Sequence, residues 1–136
     1  MRSDTGSDGV FVYGTLRPGA SNAFRMEGAE WCGAGEVAGR LYRISWYPGW
    51  VRGSGRVRGD VFRVGPELLA ELDAFEGPEY QRVRVDVLLT ESGGTLPVWA
   101  YEWTGPVEEA GRIVSGDWLA ESMGPPFQEA ITNFGS

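Results

Sequence analysis

Val10-Phe11-Val12-Tyr13-Gly14-Thr15-Leu16-Arg17-Pro18-Gly19 is the stretch that decides the fold. Val10–Tyr13 is apolar at every position, the pattern of a short strand covered on both faces. Gly14 then opens a turn whose backbone N–H groups can be aimed at a small anion or a carbonyl oxygen. A strand with two covered faces needs elements to cover it, and the chain supplies them downstream. Pro66–Phe75 predicts a helix: Pro66 suits the first turn, Glu67 follows, and Leu68, Leu69, Leu72 and Phe75 recur at helical spacing. Gly77-Pro78 stops it. Arg82–Thr90 alternates strictly, with Val83, Val85, Val87 and Leu89 on one face. Ser92-Gly93-Gly94 turns the chain, and Leu96–Trp103 returns as the second strand of a hairpin.

Three further segments are less regular. Ala20–Ala34 reads as irregular or weakly helical, Glu36–Ile44 as a strand, and Ser45-Trp46-Tyr47-Pro48-Gly49-Trp50 as an aromatic turn with a Pro-Gly breaker. Val57–Val64 predicts a strand whose buried face is ambiguous, and Asp117–Met123 a short helix. Residues 1–9 (MRSDTGSDG) read as a disordered lead-in, 10–123 as a single domain, and 124–136 as a loosely packed tail. Short strands with one strong helix predict an α+β fold around a small, strongly curved or closed sheet. Alternating strands need a solvated sheet face, which excludes an all-parallel doubly wound architecture.

Composition narrows the chemistry. The 136-residue chain is long enough to bury a core without disulfides, and its net charge of −7 opposes binding to nucleic acid or an anionic membrane. All 12 basic residues are arginine, which matches a genome-wide base composition better than selection at a site. There is no histidine and one cysteine, Cys32, so Ser-His and Cys-His nucleophiles and metal sites built on those ligands are removed. No cofactor or metal is expected. A lone cysteine fits a reducing compartment. The first residues carry no apolar signal segment, and no apolar run approaches the roughly 20 residues of a membrane span. The expectation is a soluble, cytoplasmic protein with a small-molecule partner; monomer and homodimer are both compatible with the chain.

Asp4-Thr5-Gly6 matches the aspartic-protease tripeptide but follows no apolar strand, and Gly53-Ser54-Gly55 with Gly59 precedes a strand where a dinucleotide fingerprint must open a helix. Both are set aside. Arg52, Arg56, Arg58 and Arg63 lie near Trp46, Tyr47 and Trp50, a basic-aromatic mixture that RNA-binding surfaces use. A solvated face paired with Asp60, Glu67 or Asp86 is the simpler reading of that run. Asp117 and Glu121, at i and i+4, read as a surface pair.

Leu72-Asp73-Ala74-Phe75-Glu76-Gly77-Pro78-Glu79-Tyr80-Gln81-Arg82 carries the candidate chemistry. Glu76 ends the helix, where a negative charge opposes the dipole at roughly 0.3–1 kcal/mol, so a reason other than helix stability is sought. Burial against Phe75 and the aromatic turn would raise its pKa and suit it to act as a base near neutral pH. Tyr13, Tyr80 and Tyr101 admit plain core roles. A carboxylate-pair glycosidase built on Asp73, Glu76 and Glu79 is a weaker reading, because those side chains diverge around a helix end.

Four blocks in order, Val-Tyr-Gly-Thr-Leu-Arg-Pro-Gly at 12–19, Leu-Tyr with Tyr-Pro-Gly at 41–49, Leu-Asp-Ala-Phe-Glu-Gly with Glu-Tyr-Gln-Arg at 72–82, and Ser-Gly-Asp-Trp at 115–118, resemble the gamma-glutamylcyclotransferase-like family. Its relatives include gamma-glutamylamine cyclotransferases, AIG2-like proteins and the butirosin-pathway cyclotransferase. The resemblance implies a small mixed, barrel-like sheet with flanking short helices, and cleavage of a gamma-glutamyl amide to 5-oxoproline and a free amine. It also implies a substrate loop at Tyr13, Gly14, Thr15 and Leu16, a catalytic glutamate at Glu76, and a pocket role for Tyr101. Trp46, Trp50 and the arginine-rich 52–63 segment depart from the common pattern, which bears on the leaving group more than on the reaction. The competing classes are a non-catalytic binding domain using the same pocket, and an interaction or RNA-binding protein using residues 46–63.

Overall fold

A computed structural model describes residues 8–122. The strands are β1 (Asp8–Val12), β2 (Glu30–Arg43), β3 (Pro48–Val64), β4 (Tyr80–Leu89), β5 (Thr95–Trp103) and β6 (Arg112–Ile113), with helices α1 (Pro66–Glu76) and α2 (Trp118–Ser122). Five strands close into a ring in the order β1, β3, β2, β4, β5 and back to β1. Every junction is antiparallel except β5 to β1, where Val10 pairs in parallel with Trp99. β6 extends the sheet beyond β2. The curved or closed α+β sheet expected from the sequence is thus a small mixed barrel. Among the described residues no helix is long and apolar enough to cross a membrane.

β1 explains why its sequence is apolar throughout. Phe11 and Tyr13 point into the barrel with Leu41, Trp50, Val61 and Val98. Val10 and Val12 point the other way, into a second cluster with Phe62, Val64, Leu69 and Leu72. That second cluster lies under α1, whose Leu69 and Leu72 are its buried face. Phe11, Val10, Trp50 and Leu72 are at most 1% exposed, and burial of each such side chain contributes about 1.5–3 kcal/mol.

Four expectations are corrected. Asp8 and Gly9 are not lead-in but the first residues of β1, paired with Val64 and Arg63. β2 begins at Glu30, inside the segment expected to be irregular, after a single 3-10 turn at Ala23–Met26. The aromatic turn is shorter than expected: β3 starts at Pro48, and its 17 residues run through the arginine-rich segment. Periodicity failed there for a physical reason. Ala38 pairs with Arg56 and Arg40 with Val51, so Arg52–Gly55 bulge out of register with no buried face to declare themselves. The arginines, finally, find other acids than expected: Arg52 meets Glu102, Arg56 and Arg58 share Glu36, and Arg63 meets Glu30. These exposed pairs add little stability. The Asp4-Thr5-Gly6 tripeptide and the 124–136 tail lie outside the described residues.

Candidate active site

Because β1 and β5 run parallel, the residues following β1 and the last turns of β5 open on the same rim of the barrel. Tyr13 ties this rim together: its hydroxyl donates to the Tyr101 carbonyl at 2.7 Å and accepts from the Trp50 amide at 3.1 Å. The chain then turns at Gly14, closed by a bond from the Arg17 amide to the Gly14 carbonyl at 3.1 Å. Only glycine fits: a Cβ there would lie 2.6 Å from Pro48 Cγ. The Thr15 carbonyl and hydroxyl accept from the Asn22 amide and side chain at 2.8 and 3.1 Å. Among the described residues no backbone carbonyl accepts from the amides of Gly14, Thr15 or Leu16, and all three residues line the pocket.

The loop is anchored from behind. Arg17 Nε donates to Asp60 Oδ2 and Nη1 to Asp117 Oδ1, both at 2.9 Å and largely shielded from water. Trp31 Nε1 adds a 3.0 Å bond to Asp60 Oδ1. Asp117 is therefore not a surface partner of Glu121. Its carboxylate accepts from the Leu119 and Ala120 amides, capping α2, and at the same time holds Arg17. The fourth sequence block thus clamps the first.

Glu76 is the last residue of α1, and Gly77, with φ of 84°, turns the chain away beyond it. Its half-buried carboxyl enters a pocket of about 280 Å³ that Tyr13, Gly14, Thr15, Leu16 and Tyr101 also line. The structure thereby brings all six candidate residues to one cavity. Burial, and secondarily the like charge of Asp73, pushes the Glu76 carboxyl from 4.5 up to about 7. Three phenols surround it, yet each spends its proton elsewhere: Tyr13 on the Tyr101 carbonyl, Tyr80 on the Pro48 carbonyl at 2.7 Å, and Tyr101 on Asp73 Oδ1 at 2.7 Å. Burial, with Glu76 nearby, raises the pKa of all three hydroxyls above the ordinary tyrosine value. No described side chain donates a hydrogen bond to Glu76. Asp73 is held in turn by Arg82 at 3.0 Å, whose guanidinium stacks on Trp99.

The remaining wall is Phe11 and Val12 of β1 together with Trp46, Tyr47, Pro48, Phe75, Glu79 and Tyr80. From the sequence Tyr80 admits a plain core role, and Glu79 enters only the weaker carboxylate-pair reading. Both follow Gly77, and the sharp turn there is what returns them toward the cavity. Among the described residues no group of three or more His, Cys, Asp or Glu is arranged to hold a metal. A base without a donor, facing a loop of backbone amides, is equipped to take a proton from a bound amine while negative oxygens are held nearby.

A family model described as "Gamma-glutamyl cyclotransferase, AIG2-like" matches residues 10–120. The gamma-glutamylcyclotransferase family protein YtfP of Escherichia coli (strain K12) is 39% identical over 113 residues, spanning 81% of this chain and 95% of that protein. The gamma-L-glutamyl-butirosin B gamma-glutamyl cyclotransferase of Niallia circulans is 35% identical over 100 residues, 68% of this chain and 64% of its own length. The crystal structure of an AIG2-like protein from Mus musculus superposes with a TM-score of 0.76 at 24% identity, covering 90% of this chain and 93% of that one.

Proposed function

The chain belongs to the AIG2-like gamma-glutamyl cyclotransferase family, and we propose that it cleaves a gamma-glutamyl amide to 5-oxoproline and a free amine with Glu76 as general base and acid. The observation that carries this reading is the meeting of a donorless, poorly hydrated carboxyl with the Gly14–Leu16 amides in one pocket.

In this reaction the nucleophile and the electrophile belong to one molecule. Glu76 takes a proton from the substrate α-ammonium, and the freed amine attacks the δ-carbonyl. A C–N bond forms to close the five-membered lactam, and the original amide C–N bond breaks. Two protons leave the α-nitrogen in all and two reach the departing nitrogen, which leaves as an ammonium; Glu76 relays between them. Ring closure supplies the effective molarity that an enzymic nucleophile would otherwise provide, so a chain without histidine loses nothing by it. Among the described residues no arginine lines the pocket, so the loop amides are what balance the substrate carboxylate and the developing oxyanion.

The test is Glu76→Gln, checked for an unchanged fold by circular dichroism and assayed for 5-oxoproline by mass spectrometry against a panel of gamma-glutamyl amines that includes glutathione. The wild type is expected to release 5-oxoproline from at least one amide and the variant to lose at least about 10² of that rate. Substantial turnover by the variant would remove Glu76 from the chemistry.

A further inference from the structure

The pocket has a closed end and an open one, and they differ in charge. Tyr13, Gly14 and Thr15 are buried, whereas Trp46, at 51% exposure, and Glu79 are exposed and line the open part of the same pocket. The formally charged residues lining the pocket are both acidic, Glu76 and Glu79. The chain has no lysine or histidine to contribute a cation. Glu79 is fixed through its backbone, whose carbonyl accepts from both the amide and the hydroxyl of Thr104 at 2.9 Å. Its carboxylate forms no ion pair among the described residues. Trp46 stands edge-on to Tyr47 at 5.1 Å, and Tyr47 lies 6.5 Å from Tyr80.

We propose that the leaving group carries a second positive charge, so that the substrate is the gamma-glutamyl amide of a diamine or polyamine, its distal ammonium bound between the Glu79 carboxylate and the Trp46 ring. This rests on the cyclotransferase reading and specifies its substrate class. With the glutamyl part at the loop amides and its amide at Glu76, the leaving arm runs outward past Tyr80 to the rim. An ammonium there gains a carboxylate and an aromatic wall. A carboxylate there meets Glu79 with no cation to offset it. The alternative exit is a wider cleft of about 550 Å³ on the far side of Glu76, Tyr80 and Tyr101, which includes Arg82. That guanidinium is already committed to Asp73 and lies over Trp99.

Three amides of nearly equal length separate the cases: gamma-glutamyl-1,4-diaminobutane, gamma-glutamyl-butylamine and gamma-glutamyl-4-aminobutanoate. Their binding to Glu76→Gln protein is measured by calorimetry at low and moderate salt, and their turnover by wild type as 5-oxoproline released. The diamine amide is expected to bind about tenfold tighter than the butylamine amide at low salt, the anionic amide weakest, with the gap narrowing as salt rises. Adding Glu79→Gln is expected to shrink the diamine-to-butylamine ratio at least about threefold. Equal binding of those two amides overturns the proposal, as does a ratio that Glu79→Gln does not move. Tightest binding by the anionic amide overturns it too and directs the arm to the Arg82 cleft. The expected binding order without 5-oxoproline from any amide would sustain the charge preference while refuting the reaction, and no binding at all would refute both.

Discussion

Replacing Glu76 by glutamine is expected to make the protein more stable, and only above the pH at which an ordinary glutamate ionises. An ordinary glutamate titrates at 4.5, and here the folded state raises it to about 7. Below 4.5 the carboxyl is neutral whether the chain is folded or not, and it contributes nothing. Between the two values the unfolded chain ionises and the folded one resists, so stability falls as pH rises. Above about 7 both states are charged and the folded state carries the whole penalty. At about 1.4 kcal/mol for each tenfold change in proton affinity, the ceiling is about 3 kcal/mol. The side chain is half-buried rather than enclosed, and water at the pocket lowers this to about 1–2 kcal/mol. Glutamine also removes a negative charge from a helix C-terminus, which acts in the same direction. Urea denaturation of both proteins at half-unit steps from pH 4 to 8.5 is the assay. The midpoints should coincide near pH 4 and separate progressively to pH 8, with the variant the more stable, by several degrees in a parallel thermal scan. A variant less stable at pH 8, or a difference that does not change with pH, would refute the claim that Glu76 is held as a strained base.

Other expectations follow from the same geometry. The kcat/KM for a gamma-glutamyl amide should rise with pH to a plateau above about 7, and Asp73→Asn, which removes a neighbouring negative charge, should move that rise to lower pH; a limb that does not move assigns the titration to another group. Gly14→Ala drives a methyl to 2.6 Å from Pro48 and should cost about 1–3 kcal/mol together with most of the turnover, whereas wild-type rates would show that the turn has slack. Arg17→Met strands the carboxylates of Asp60 and Asp117 and should lower stability in urea by about 3–5 kcal/mol, with Arg17→Lys recovering part of it.

What could be read from the chain divides along a physical line. β1 was legible because burial on both faces leaves no polar position to misread, and α1 because Pro66, three leucines and Gly77-Pro78 mark its start, face and end. The β4–β5 hairpin declared itself by alternation around Ser92-Gly93-Gly94. Each of these is a local signal. The closure of the ring is not, since the Val10–Trp99 junction joins distant residues through one parallel bridge. Nor is the anchor of the loop, where Arg17 and Asp117 stand 100 residues apart. The bulge at Arg52–Gly55 hid half of β3, because exposed side chains follow no period. Glu76 stood out for a local reason, a carboxylate at the wrong end of a helix dipole. Glu79 and Tyr80 did not, because their placement depends on the turn at Gly77, which sequence marks as a stop and not as a direction.

The three tyrosines bear on how the proposed base does without histidine. A phenol donating to Glu76 would stabilise the carboxylate and pull its pKa back toward the ordinary range, leaving a weak base. Each hydroxyl is instead drawn off by a stronger or better placed acceptor: a strand carbonyl for Tyr13, the Pro48 carbonyl for Tyr80, and for Tyr101 the carboxylate of Asp73 that Arg82 holds in position. The pocket is therefore lined by polar groups and still withholds side-chain donors from Glu76, the base proposed above. In that sense the Tyr101–Asp73 and Tyr80–Pro48 bonds belong to the base as much as its own carboxyl does. On that proposal, a hydroxyl turned toward Glu76 would lower its basicity while leaving every side chain of the site in place.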